Sequence, residues 1–275
     1  MKKIAASLLL VLITVGFAGA QNKETLRLDS FTRISFRAAG KVFLRQGSPQ
    51  KVEIEGDRDY IKELDIRVEG DKLVIGKDNW SFWNWDNNDE RVNVYITIPT
   101  IEGLGVAGSG DLIAETKITA RDLNLNVSGS GSLELEADAT GDIDAGVSGS
   151  GHIELKGKCQ DFDSHVSGSG RIHMDLAIAQ RASFGISGSG KIEARGTAVD
   201  MRASLSGSGE VRGSDLVVDN CEVRISGSGG VDITVNKELE CNISGSGTVN
   251  YRGNPSHVNN HSSGSGKVRK MDRGS

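Results

Sequence analysis

Ser-Gly-Ser-Gly occurs eight times between Ser128 and Gly266, and glycine-rich quartets are the raw material of phosphate cradles and calcium loops. A phosphate cradle needs its glycines at a strand-to-helix junction, and no helical periodicity follows any copy. A calcium-binding β-roll needs aspartate beside the glycines. Here the closing glycines are followed by Ser132, His152, Arg171 and Lys191, too varied a column for a calcium ladder. His152 and His173 fall one repeat apart without a third ligand beside them, so outward scatter explains them better than a metal pair. Neither a metal nor a cofactor is expected.

Two other sets of residues carry chemical potential. The carboxylates Glu134, Asp144, Glu154, Asp163, Asp175, Glu193 and Asp232, with Arg171 and Lys191 among them, are the types a polysaccharide lyase or hydrolase would gather on one outer face. No loop of unusual length gathers them, so they read as the solvated face of strands. The segment from Asp78 to Glu90 holds all three tryptophans within six residues, with Phe82 between them. Trp80, Phe82, Trp83 and Trp85 form either an apolar fold-back over the end of the core or an exposed aromatic platform for a sugar ring or a partner protein. The acids of this segment lack EF-hand spacing.

The elements that position these residues follow from the repeat. With a leading Ala107-Gly108-Ser109-Gly110, the closing glycines step by 21, 20, 19, 20, 19, 20, 18 and 19 residues, the mark of a solenoid. Before each quartet three small or apolar residues alternate, as in Leu123, Leu125 and Val127; after it two more do, as in Leu133 and Leu135. The glycines in question are Gly129 and Gly131, Gly149 and Gly151, Gly168 and Gly170, Gly188 and Gly190, Gly207 and Gly209, Gly227 and Gly229, and Gly245 and Gly247. Unbroken parity turns them inward at a thin waist; alternatively, the chain bends there with torsions that glycine tolerates. Either way they are structural. Variable polar segments such as Glu136 to Asp142 and Arg195 to Ala198 read as return loops. The fold class predicted is all-β, a single-stranded parallel β-helix with rungs of about 20 residues and Gly-Ser-Gly corners.

Residues 21–105 carry degenerate alternation, with one helical turn expected between Asp57 and Leu64 and a tight turn at Glu69-Gly70-Asp71; they read as irregular first rungs and a cap. Residues 106–270 form the regular repeats of the same continuous domain, ending in a polar rung. Cys221 and Cys241 occupy positions that hold apolar residues in neighbouring rungs, and their two-residue offset suits a disulfide poorly. Residues 1–20 have the basic start, apolar run and Ala18-Gly19-Ala20 site of a cleaved signal peptide, so an exported chain beginning at Gln21 is expected, in the periplasm, at the outer membrane or secreted. The net charge of -5 becomes -7 without Lys2 and Lys3, which argues against nucleic acid or an anionic membrane as partner. No second apolar stretch is long enough to cross a bilayer as a helix.

Phe31-Thr32-Arg33-Ile34, Gln46-Gly47, Val52-Glu53-Ile54-Glu55-Gly56, Leu73-Val74-Ile75, the Val92 to Pro99 strand and the Val-Ser-Gly-Ser-Gly repeats together resemble the putative autotransporter adhesin, head GIN domain family over about residues 30–268. The resemblance implies a β-helical, non-enzymatic surface or periplasmic domain and brings no catalytic residues. The expectation is a binding or scaffolding module of the cell envelope, with a glycan or another envelope protein as partner. A polysaccharide-processing β-helix enzyme is the alternative.

Overall fold

The structure, a computed structural model, describes residues 23–76 and 91–271. The described residues form one continuous sheet of 23 strands wound into a β-solenoid. Its N-terminal part comprises β1 (Lys23–Leu26), β2 (Arg33–Arg37), β3 (Gly40–Gln46), β4 (Lys51–Glu55), helix α1 (Arg58–Glu63), β5 (Asp65–Glu69), β6 (Lys72–Gly76), β7 (Val92–Ile98), β8 (Gly103–Gly108) and β9 (Asp111–Ala114). Asp57 caps α1, its carboxylate accepting from the amides of Asp59 and Tyr60, and Gly70 turns the β5–β6 hairpin at φ +64°.

These strands do not stack in chain order. β2 pairs in parallel with β6 on one side and β8 on the other, and β3 pairs with β7 and β9. The β2–β3 rung is therefore threaded between two rungs that follow it in sequence. Beyond β6 and β7 the pairing turns antiparallel: β5 lies on β6, β4 on β7 and β1 on β4.

The regular rungs follow in order. They use β10 (Ile118–Ala120), β11 (Leu123–Gly129), β12 (Ser132–Ala139), β13 (Ile143–Gly149), β14 (His152–Cys159), β15 (Phe162–Gly168), β16 (Arg171–Ile178) and β17 (Arg181–Gly188). From β18 (Lys191–Gly207) through β19 (Glu210–Gly227) and β20 (Gly230–Gly245) a single strand runs from one Gly-Ser-Gly corner to the next; β21 (Thr248–Arg252), β22 (His257–Gly264) and β23 (Lys267–Lys270) finish the stack. This corrects the loop reading of Arg195 to Ala198. Arg195, Gly196, Thr197 and Ala198 pair with Asp215, Leu216, Val217 and Val218, and Gly196 turns a second corner at φ +113°. Backbone bonds to the next rung hold this segment without an alternating apolar signal.

The pairing keeps like residues in register: Leu123 faces Ile143, which faces Phe162, which faces Ala182. Bulk is balanced between rungs, since Phe184 lies between Ser164 and Ala203 in its column while Phe162 meets it edge-on at 6.3 Å. Ser164, the one buried polar side chain among the described residues, donates to the Ser183 carbonyl at 3.2 Å.

The two glycines of a quartet solve different problems. Gly168 has φ +106°, and a Cβ there would sit 2.8 Å from the Gly149 carbonyl oxygen of the rung before. Gly170 has no such torsion but is buried, and a Cβ there would collide with Val147 Cγ1. The first glycine is thus the bend and the second the thin waist. Gly168→Val is expected to destabilise by roughly 2–4 kcal/mol through strain and overpacking. Gly146→Ala, whose added carbon meets only the movable Asn126 side-chain oxygen at 2.7 Å, should cost under about 1 kcal/mol. Urea denaturation followed by circular dichroism separates the two, and equal midpoints would contradict this assignment.

All three cysteines are free and buried. Cys221 Sγ lies 3.3 Å from Met201 Sδ, while in the ladder Cys221 faces Leu239 and Cys241 faces Val223. Burial pushes the Cys159 and Cys241 thiols up to about 12, with nearby carboxylates adding to it, and raises Cys221 as well. At pH 8 a thiol-exchange reagent should therefore modify the native protein well over tenfold more slowly than the guanidinium-unfolded chain. Fast reaction of the folded state would refute burial of the set.

Candidate binding surface

Outward side chains stand in columns, one residue per rung, spaced by the strand separation of about 4.8 Å. The carboxylates that sequence spacing singled out fall on two faces. Asp144 and Asp163 lie on β13 and β15, while Glu134, Glu154, Asp175, Glu193 and Asp232 lie on β12, β14, β16, β18 and β20. On the second face they are interleaved with basic side chains. Glu154 pairs with Lys156 at 2.9 Å, Glu193 with His173 at 3.4 Å and with Arg212 at 3.9 Å, and Glu210 with Arg212 at 3.0 Å and Lys191 at 3.3 Å. The lysine beside Glu154 holds its carboxyl below the usual range, with a smaller contribution from His173 and His152.

The two histidines are not register partners. His173 sits in register between Glu154 and Glu193, whereas His152 faces Ser132 and Arg171, and its buried Nδ1 has no hydrogen-bond partner. Among the described residues no group of three or more His, Cys, Asp or Glu side chains could hold a metal ion.

Two features escaped the sequence reading. Phe43 and Tyr95 occupy outward positions on β3 and β7 and stack at 5.2 Å, with Lys23 over the Tyr95 ring at 4.0 Å and the Tyr95 hydroxyl donating to Glu55 at 3.0 Å. The signal was present in their parity, opposite to that of Val42, Leu44, Val94 and Ile96. The ring faces are used on each other and on the lysine, so the stack braces this face.

The second feature is a groove of about 570 Å³ where the regular rungs begin, lined by Arg33, Gln46, Glu102, Thr119, Arg121, Asp122 and Asp144 among others. Gln46 holds its floor together: its amide donates to the carbonyls of Pro99 at 3.1 Å and Thr119 at 2.9 Å and accepts from the Thr119 amide at 2.7 Å. Asp122 is held low first by the Asp142 amide it accepts and then by Arg121. Asp144 is pushed the other way, by desolvation first and then by Asp163, Asp142 and Asp122.

The segment with Trp80, Phe82, Trp83 and Trp85 lies outside the described residues, as does the expected signal peptide. The described neighbours of that segment are Gly76, the last residue of β6, and Arg91, next to β7. In sequence it connects β6 to β7.

Because Asp144 has a raised folded-state pKa, its favourable contribution is fully present below the unfolded pKa and is lost as pH rises through the folded value. At pH 7 the ionised group opposes folding. Asp144→Asn should raise the melting temperature by about 1 °C at pH 7, a small gain because the group is exposed and screened, and leave it unchanged near pH 3. A stabilisation equal at both pH values, in parallel thermal melts, would discredit the charge argument.

Among solved structures the chain is similar to one titled as a putative lipid binding protein from Parabacteroides distasonis, at 21% identity and a TM-score of 0.65, covering 91% of this chain and 96% of that one. A putative adhesin from Parabacteroides merdae matches at 20% identity and TM-score 0.65, and another from Parabacteroides distasonis at 17% and 0.61, with the same coverages. At these identities the likeness shows a common fold. No protein of curated function matches the chain. Residues 30–193 and 166–255 match the family described as "Putative auto-transporter adhesin, head GIN domain", and over that span, most of its length, the chain belongs to this family.

Proposed function

We propose that the protein is an exported, non-enzymatic binding or scaffolding module of the bacterial cell envelope, adhesin-head-like in use, whose contact surface is the Trp80, Phe82, Trp83 and Trp85 segment. The observation that carries the non-enzymatic part is the fate of the outward carboxylates. They are split between two faces, and on the second face Glu154, Glu193 and Glu210 form ion pairs with Lys156, Arg212 and Lys191 of their own or neighbouring rungs. The family's description as an adhesin head supports an envelope role.

The tryptophan segment supports the binding part. Aromatic side chains give large contact area with a polar handle, and this segment interrupts the strand alternation between β6 and β7 in sequence. The partner class is a glycan or another envelope protein; one similar structure carries a lipid-binding title, which makes lipid a third class to test.

Glycan arrays, envelope-protein pull-downs and phospholipid vesicle flotation should be run on the wild type and on a Trp83→Ala/Trp85→Ala variant. The expected result is specific capture of one class, reduced at least tenfold in the variant, with an unchanged far-ultraviolet spectrum. Equal capture by both proteins would remove the segment from the role, and cleavage of a polysaccharide by the wild type would favour the enzymatic alternative.

A further inference from the structure

The two ends of the stack are finished differently. At the N-terminal end β4 and β5 lie antiparallel on β7 and β6, and β1 lies on β4. At the other end β22 and β23 pair with β20 and β21 alone, and all eight residues of β22 are exposed. The ladder fixes where the free backbone groups point. Inward residues send their amides toward the next rung, as Leu123 does to the Asp142 carbonyl and Ile143 to that of Asp161. Val258 stands in the same column one rung after Leu239, so its amide and, by alternation, those of Asn260 and Ser262 point beyond the end of the stack. The carbonyls of Gly245 and Gly247 accept from Ser265 and Lys267, whereas those of Gly264 and Gly266 meet no following rung among the described residues. Donors and acceptors at strand spacing are what an edge offers to an added strand.

Composition selects the occupant. One rung earlier the inward positions hold Leu239, Cys241 and Ile243; here they hold Val258, Asn260 and Ser262. A further rung of the same kind would bury two polar side chains against an apolar layer. Residues 257–270 contain Lys267, Arg269 and Lys270 and no Asp or Glu, in a chain with 37 acidic and 32 basic residues. Lys270 donates to Asn254 at 2.8 Å, and Lys267 and Arg269 form no ion pair among the described residues. Two copies meeting at this end would bring like charges together. We propose that the open β22–β23 edge is a docking site for an extended acidic segment of another protein, held by backbone bonds to Val258, Asn260 and Ser262 and by carboxylates on Lys267 and Arg269.

The test titrates the full chain with labelled fourteen-residue peptides, long enough to run in register from Val258 past Arg269, one alternating Glu and Val and one alternating Lys and Val, by fluorescence anisotropy. The acidic peptide should bind at least tenfold more tightly, more weakly as salt rises, and should slow hydrogen exchange at Val258, Asn260 and Ser262. Lys267→Glu/Arg269→Glu should reduce its affinity at least tenfold. Asn260→Pro, which removes an open-side donor where an edge strand tolerates proline, should do the same with an unchanged thermal melt; if it fails to fold, the charge-reversed variant decides. Absence of acidic-peptide binding, equal affinity for the two peptides, or full affinity in the charge-reversed variant would overturn the proposal. So would protection of residues 258–262 that rises with protein concentration alone, which would make a second copy the occupant.

Discussion

The approach of backbone to backbone at the Gly-Ser-Gly corner governs the rest of this structure. A Cβ on Gly129, Gly149, Gly168, Gly188 or Gly207 would sit between 2.6 and 2.8 Å from the glycine carbonyl oxygen of the preceding rung. That carbonyl also accepts the serine amide that follows, as Gly149 does from Ser169 at 2.9 Å. Each corner is thus both a bend and a hydrogen-bonded seat for the next one. Once successive corners are seated, the register of both flanking strands is fixed, and Leu, Val, Ile and Phe fall into inward columns without further instruction. The core is a consequence of the corner, and hydrophobic burial then supplies the stabilisation.

This explains what could be read from the chain. Glycine at a positive torsion has no substitute of equal cost, so the corner repeats as a literal motif, and the alternation around it gives the strands that enter each corner, β11, β13, β15 and β17, whereas β12 runs on through Glu136 to Ala139, which read as loop. The second corner is set by backbone pairing with Gly157, Gly196 or Gly253 at only some rungs, so its side chains vary and the segment resembled a loop. The threading of β2–β3 between β6–β7 and β8–β9 is a choice among strands with equivalent alternation, and nothing local distinguishes one partner from another. The candidate surface was legible only as composition. A tryptophan cluster announces contact area without saying where it points, and the groove around Gln46 depends on Thr119 and Pro99, which adjoin it only after winding.

The surface is correspondingly modular. Any outward position can change without touching the corner or the core, which is why columns mix Ser132, His152, Arg171 and Lys191. Charge is then settled locally, by ion pairs within a rung or with the next. The individuality of such a scaffold lies where the repeat is interrupted: between β6 and β7, where the sequence inserts the tryptophan segment, at the groove that opens the regular rungs, and at the last rung.

The threaded β2–β3 rung also gives the molecule a mechanical direction. From β23 backward each rung touches one that precedes it in sequence, so a pull on that end can peel about twenty residues at a time, releasing on the order of 70 Å of extended chain per step. The peeling cannot continue past β8 and β9 in the same way. There the next rung in the stack lies some seventy residues back along the chain, clamped between strands on both sides. Under load the regular rungs would pay out as a spool, and the N-terminal block would yield as one unit.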